Sequence, residues 1–185
     1  MCSSVDLSEC DLGNVGELSF AEGAKVLLFK AENLPADLDV SMCSSIDLSR
    51  ADLGSIENLK FRDGAKVRMC RVNNLPKDLD VSRCSYLALS DCDLSNVTRL
   101  DFKEGAEVIL SYATNLPSDL DVSMCSKVDL SGCDLSEIKE LKFKDKKQKD
   151  EFLMDNINFE GKIVYVGDKG KSKNVSVNIG GGMDM

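Results

Sequence analysis

The sequence contains no histidine and no tryptophan, and only three of its 185 residues are proline. Without histidine, the chain lacks the side chain that most often acts as a general base, and no Cys-x-x-Cys spacing indicates a zinc site. It also lacks a glycine-rich phosphate loop and an apolar run long enough to span a bilayer. We therefore expect a chain that is not an enzyme, with no catalytic residue, cofactor or metal ion.

Positive charge is also scarce. The 23 Lys and Arg residues are outnumbered by 32 Asp and Glu residues, so the formal net charge is −9. Nucleic acids and anionic membrane surfaces bind through basic faces, so we expect neither as a partner. Residues 1–7 show neither the basic start nor the apolar segment of a secretory signal. We expect a reducing, cytoplasmic location, or export by a route without a classical signal peptide.

What the chain has instead is repetition. Equivalent apolar positions recur every 20 or 21 residues, and the sequences around them are most alike when they lie 41 residues apart. These positions are Val5, Val26, Ile46, Val67, Leu87, Val108 and Val128. A fixed period of this size is typical of a solenoid, in which each turn, or rung, packs only against its neighbours.

Each rung carries a second apolar position as well. These are Leu18, Leu38, Leu59, Leu79, Leu100, Leu120 and Leu141. Around both positions apolar and polar residues alternate over three or four residues, which is strand-like but too short to be stable alone. We predict a mainly β, right-handed solenoid of about seven rungs with parallel ladders, roughly 29 Å long at about 4.8 Å per step.

Two kinds of corner alternate along the chain. Gly23, Gly64 and Gly105 stand where a tight turn is needed. Between the two strand segments, one half of each unit has Asn-Leu-Pro and the other has Asp-Leu-Gly or Asp-Leu-Ser. Proline lacks a ladder donor, so we place it outside the strands. The unlike corners account for the period of 41 residues.

The eight cysteines fall largely into columns of the repeat. Cys2, Cys43, Cys84 and Cys125 are 41 residues apart, and Cys10, Cys92 and Cys133 form a second column. Members of one column lie at least two rungs apart, roughly 9–10 Å, which exceeds the Cα separation of a disulfide. We predict buried free thiols that fill the core.

The repeat ends near Phe143. We predict a repeat solenoid over 1–143, a C-terminal cap over 144–179 and a disordered tail over 180–185. The cap should contain a short helix at about 145–155 and strands at 159–166 and 174–179. At the other end, Met1–Val5 repeats Met42–Ile46, so that the first rung has no cap. Its edge is either a truncation point or a surface for self-association.

The half-unit Cys84-x-x-Leu87-x-Leu89-x-x-Cys92-x-Leu94 resembles the leucine-rich repeat pattern, in the short bacterial form with 20–21 residues per rung. The resemblance covers about residues 1–143. It implies a curved solenoid with a parallel sheet on one side and, usually, a protein-binding surface. The asparagine of the leucine-rich repeat pattern is replaced here by Cys or Ala. Because each rung also has a regular second strand-like segment, a flattened parallel β-helix is the alternative fold.

Unusually apolar residues occupy some positions that should face outward. Leu27, Phe29, Ile109 and Tyr112, together with Arg68, form the predicted partner-binding surface. We expect a non-enzymatic protein–protein interaction module, because solenoids present extended surfaces built from neighbouring rungs. The alternative is a structural segment of a longer or self-associating array, joined through the first-rung edge. Concentration-dependent association would distinguish the two.

Overall fold

The structure, a computed structural model, describes residues 3–155, 162–166 and 172–175. These residues form fifteen β-strands and one α-helix. The strands are β1 (Ser4–Asp6), β2 (Glu17–Ser19), β3 (Lys25–Leu27), β4 (Asp37–Asp39), β5 (Ser45–Asp47), β6 (Asn58–Lys60), β7 (Lys66–Arg68), β8 (Asp78–Asp80), β9 (Tyr86–Ala88), β10 (Glu107–Ile109), β11 (Asp119–Asp121), β12 (Lys127–Asp129), β13 (Glu140–Phe143), β14 (Lys162–Val166) and β15 (Ser172–Val175). The helix α1 spans Lys146–Asp155.

One continuous sheet runs along the molecule. Its seven parallel strands follow the order β1-β3-β5-β7-β9-β10-β12, one from each rung. The register places like residues side by side: Val26 pairs with Val5 and Ile46, and Val108 pairs with Leu87 and Val128. The prediction of a mainly β, parallel solenoid of about seven rungs is therefore confirmed.

The second ladder is interrupted. Among the residues that the structure describes, β2 pairs only with β4, β6 pairs only with β8, and β11 pairs with β13. The predicted strand around Leu100 is wrong, although the leucine itself is buried. A strand there would stack Asp101 between Asp80 and Asp121, and like charges on adjacent strands repel. Asp101 instead accepts a hydrogen bond from Arg99 Nε at 2.8 Å.

The core fills the space between the two ladders. The central residue of each three-residue strand points inward, as do residues just beyond the strands such as Leu48, Met69 and Leu89, and all three are fully buried. Full burial of one such side chain contributes roughly 1.5–3 kcal/mol. Because no rung is thick enough to bury these residues alone, the stability of each rung depends on the rungs beside it.

The predicted glycine corners are confirmed by the backbone. Gly23, Gly64 and Gly105 have φ of 75°, 74° and 77°, which only glycine adopts without strain. Each glycine carbonyl accepts a hydrogen bond from a serine hydroxyl one rung later, at 2.7–2.8 Å. The corner is therefore held both by its own conformation and by the next rung.

A side-chain tie joins the rungs in pairs. Asn33, Asn74 and Asn115 are in the left-handed region, and each amide donates to an aspartate one rung earlier. The donor–acceptor pairs are Asn33 Nδ2 to Asp11 Oδ1 (2.8 Å), Asn74 Nδ2 to Asp52 Oδ1 (3.2 Å) and Asn115 Nδ2 to Asp93 Oδ1 (2.8 Å). Since the asparagine occurs in every second rung, the structure repeats fully only after two rungs, which explains the period of 41.

A helix and two strands follow the solenoid. α1 and β14 lie within the predicted ranges 145–155 and 159–166, whereas β15 begins at Ser172 and shares only residues 174–175 with the strand predicted at 174–179. α1 contacts β12 and β13, and Gln148 Nε2 donates to the carbonyls of Val122 and Cys125 at 3.2 and 3.0 Å. β14 extends the second ladder in parallel, and β15 is antiparallel to β14. The remaining predicted cap residues and the tail over 180–185 lie outside the described residues. The division at 143 and 179 stays a prediction.

Candidate interaction surface

The outward face of the seven-stranded sheet is built from the residues that flank each inward one. The row after the inward residue reads Asp6, Leu27, Asp47, Arg68, Ala88, Ile109 and Asp129. The inward positions are apolar in every rung, whereas this row changes in charge and size at each step. Apart from Ala88, which is only 3% exposed, this row is free of the constraint of core packing, and such a face is where a repeat protein can encode recognition.

The five predicted surface residues do not form one patch. Leu27 lies on β3, Arg68 on β7 and Ile109 on β10, and Phe29 and Tyr112 occupy the corner after their strands. Leu27 and Ile109 are four rung steps apart, about 19 Å at ordinary strand spacing. Arg68 is midway between them. The structure therefore separates two apolar clusters, one on the second rung and one on the sixth.

The two clusters differ in exposure. Leu27 is 42% exposed between Asp6 and Asp47, and Tyr112 is 63% exposed. Phe29 and Ile109 are half buried. Large exposed apolar side chains on a sheet face are the ones available for a partner, so Leu27 and Tyr112 are the stronger candidates.

Cations of the chain itself cover two of the aromatic rings. Lys30 Nζ lies 5.3 Å and Arg50 Cζ 5.9 Å from the centre of the Phe29 ring. Arg68 Cζ lies 5.6 Å from the centre of the Tyr86 ring on the neighbouring strand. These distances fall in the range of cation–π attraction, so Arg68 is held over β9 rather than being free in solvent.

A row of left-handed residues follows the sheet at one corner. Its members are Glu9, Lys30, Arg50, Arg71, Asp91, Tyr112 and Gly132. Within this row Lys30 Nζ bonds Glu9 Oε1 at 2.9 Å, and Arg71 Nε bonds Asp91 Oδ2 at 3.2 Å. The Tyr112 ring lies over Gly132, where a Cβ would be 2.4 Å from its edge. Gly132 is thus required both for its φ of 70° and for the seat of Tyr112.

The opposite face is strongly acidic. The outward residues of the second-ladder positions include nine carboxylates and three basic side chains, a formal charge of −6 out of the chain's −9. Asp80 accepts hydrogen bonds from the Ser82 hydroxyl (2.6 Å) and backbone N–H (3.1 Å), and the hydroxyl bond is the main reason that its pKa is lowered. The excess of carboxylates on this face disfavours an anionic partner.

Clefts lie between adjacent rungs, and three of them lie where the second ladder is unpaired. A groove of about 680 Å³ separates β4 from β6. Between the fourth and fifth rungs, spaces of about 280 Å³ and 490 Å³ lie against residues 77–82 and 72–74. A further space of about 570 Å³ lies against residues 53–57 and 74–78 of the third and fourth rungs, which are paired.

All seven cysteines in the described part of the chain are free thiols. Cys43, Cys84, Cys92 and Cys125 are buried as predicted, whereas Cys10, Cys70 and Cys133 are half buried. Burial raises the pKa of Cys84 and of Cys125 to about 12, so these thiols remain protonated. The Cys92 thiol donates to the carbonyl of Met69 at 2.8 Å, one rung earlier, so it acts as a polar tie as well as a core filler.

Sequence reasoning missed the corner row, the Asp–Asn ties and the clefts. The ties had a usable signal, because Asn33, Asn74 and Asn115 each follow an aspartate by 22 residues. The left-handed row had none, because its residues are chemically unrelated. The contact of Arg68 with the Tyr86 ring could have been predicted, because the repeat already places the strands that carry these two residues side by side.

Comparison of the chain with protein-family models, curated proteins and solved structures found no match. The resemblance to leucine-rich repeats therefore stays a prediction. In the described ranges, no three His, Cys, Asp or Glu side chains are grouped so as to hold a metal ion. Nor does any helix there have the length and apolar character needed to cross a membrane.

Proposed function

We propose that the chain is a non-enzymatic interaction module that presents the outward face of its seven-stranded sheet to a protein partner. The observation that carries the proposal is the contrast between the two sides of each strand. Inward residues are uniformly apolar and in register, and outward residues vary from rung to rung. Leu27 is 42% exposed between Asp6 and Asp47, so it places an apolar surface between two carboxylates on this face.

A matched pair of substitutions tests the proposal. Leu27→Asp places a charge on the sheet face, and Met42→Asp places the same charge at a corner of similar exposure, 42% against 44%. Leu27 is a better probe than Phe29 because Phe29 is half buried, so that its substitution would also affect folding. Met42→Asp should retain the wild-type melting temperature to within about 2 °C, because exposed substitutions change stability by about 0.5 kcal/mol or less. Leu27→Asp should cost about 1 kcal/mol, because it stacks a carboxylate between Asp6 and Asp47, and a thermal melt should show that it is still fully folded at the temperature of the capture.

Quantitative affinity capture from the native host would then compare the three proteins. We expect at least one protein to be retained by the wild type and by Met42→Asp and to be lost with Leu27→Asp. Direct binding of that protein, once purified, should weaken about tenfold or more, as for a buried apolar anchor. If Leu27→Asp retains every protein that the wild type retains, the sheet face is not the binding surface.

The alternative is assembly into a longer array, and the edge of β1 favours it. Among the described residues, β1 pairs only with β3, and an unpaired strand edge can receive another strand. Sedimentation at increasing protein concentration separates the two functions. A constant sedimentation coefficient supports the monomeric binding module, and a rising one supports assembly.

A further inference from the structure

Tyr112 breaks the pattern set by the other aromatic rings near the sheet face. Phe29 and Tyr86 each have a lysine or arginine of this chain over the ring. Over the Tyr112 ring, no such cation is found in the part of the chain that the structure describes, and the side chain is 63% exposed. Its neighbours in the corner row are Asp91 and Gly132, an anion and a residue without a side chain.

Tyr112 is one of the residues that line the cleft of about 490 Å³ between the fourth and fifth rungs. Other polar groups in the wall are Asn73, Asn74, Asp91 and Asp93. Asp91 Oδ2 accepts from Arg71 Nε at 3.2 Å, and Asp93 Oδ1 accepts from Asn115 Nδ2 and from the Ser95 backbone N–H at 2.8 and 2.9 Å. Because each carboxylate has two acceptor oxygens, one oxygen of each retains capacity for a further donor.

The cleft is part of the rung architecture. Its walls belong to different pairs of rungs: Asn74 is tied to Asp52 on the third rung, and Asp93 is bridged to Thr114 on the sixth. Over the described residues 73–82 and 91–101, no backbone hydrogen bond joins the fourth rung to the fifth. Each wall is therefore tied to the rung on its other side, and the two walls are joined at one end of the cleft by the Arg71–Asp91 ion pair and the Cys92–Met69 hydrogen bond.

We infer that this cleft binds an arginine side chain of the protein partner, which deepens the proposed function and rests on it. The guanidinium stacks on the Tyr112 ring and donates to the carboxylates of Asp91 and Asp93. Arginine suits the site better than lysine because its planar group can stack and donate along two directions at once. The arginine of the partner supplies the cation that the rings of Phe29 and Tyr86 obtain from this chain.

The repeat offers an internal comparison. One unit earlier, the places of Tyr112 and Asp91 are taken by Arg71 and Arg50. That corner is basic and has no exposed ring, so it should repel an arginine. The corners share one backbone conformation, but the inference concerns only the corner at Tyr112.

The test is a titration of isotope-labelled protein, followed by amide chemical shifts, with acetyl-Gly-Arg-Gly-amide as the probe. The matching citrulline peptide is the control, because citrulline has nearly the same shape without the charge. We expect the arginine peptide to shift the amides of Tyr112, Asp93 and Thr114 in a saturable way, and the citrulline peptide to leave them unchanged. The amide of Arg50 should not respond to either peptide; Arg71 is not used as a reference, because its Nε bonds the Asp91 carboxylate.

Three variants assign the contacts. Tyr112→Ala should weaken binding of the arginine peptide about threefold to fivefold, whereas Tyr112→Phe should retain it, because the ring and not the hydroxyl carries the attraction. Asp93→Asn should weaken binding by a similar factor. Asp11→Asn is its matched control, because Asp11 makes the same two bonds, to Asn33 at 2.8 Å and the Gly13 N–H at 3.0 Å, on the first rung.

Three results would each overturn the inference: no saturable shift at Tyr112, equal shifts with citrulline, or undiminished binding by Tyr112→Ala. They would leave the proposed function standing if Leu27→Asp still lost a captured protein. Conversely, arginine binding at Tyr112 together with unaltered capture by Leu27→Asp would reject the sheet face and retain the cleft. The two experiments therefore fail separately.

Discussion

Replacing Asn115 by alanine should destabilise the protein by about 2 kcal/mol at neutral pH. Asn115 has φ of 54°, and an alanine at such a left-handed position costs about 1 kcal/mol. The substitution also removes the hydrogen bond from Nδ2 to Asp93, which we value at about 1 kcal/mol because both groups are exposed. For a chain of this length the sum corresponds to a fall of about 4–8 °C in melting temperature.

Asn115→Gly separates the two contributions. Glycine adopts the left-handed conformation freely but has no amide to donate, so we expect about half of the loss seen with alanine. Urea unfolding followed by far-UV circular dichroism measures both variants against the wild type. Equal losses for alanine and glycine would show that backbone conformation is not part of the cost.

The pH dependence identifies the partner. The Asn115 side chain, and then the Ser95 backbone N–H, lower the pKa of Asp93. A group with a lowered folded pKa stabilises the fold above its unfolded pKa, about 4, and loses that contribution as the pH falls through the folded value. The difference between wild type and Asn115→Ala should therefore shrink at pH 3. A difference that stays constant from pH 7 to pH 3 would exclude the Asp93 carboxylate as the partner.

Two further predictions concern the corners and the core. Gly105→Ala, where a Cβ would meet open space, should lower the free energy of unfolding in urea by about 1 kcal/mol. Gly132→Ala should have the same cost and should also displace the Tyr112 ring, which a change in the chemical shifts of the tyrosine ring would show. An unmoved ring would contradict the close approach of the Tyr112 ring to Gly132. Cys84 and Cys125, with pKa raised to about 12, should resist iodoacetamide at pH 8 in the folded protein and react in urea. Because a thiol's unfolded pKa is about 8.5, their contribution to stability should be lost as the pH rises from there towards 12; rapid labelling of the folded protein would contradict their burial.

The order of the core residues was predictable from the sequence for a simple reason. A solenoid rung meets only its neighbours, so Val26 has to pack beside Val5 and Ile46 whatever the rest of the chain does. The same local rule predicted the tight turns at Gly23, Gly64 and Gly105. The candidate surface was predictable only as a set of outward positions, because alternation along a strand says which residues face out and not which of them share a patch.

The sequence by itself determined the repeat, the seven-rung stack and the inward residues, since these follow from a spacing that one can count. Only the tertiary structure decided between which neighbouring rungs the strands of the second ladder pair and between which they do not. That choice depends on three-dimensional contacts, such as Asn74 reaching Asp52 and Asp101 turning to Arg99. It also placed Tyr112 over Gly132 with an acidic cleft beside it, because the corner row forms only when seven left-handed residues of unrelated chemistry are stacked.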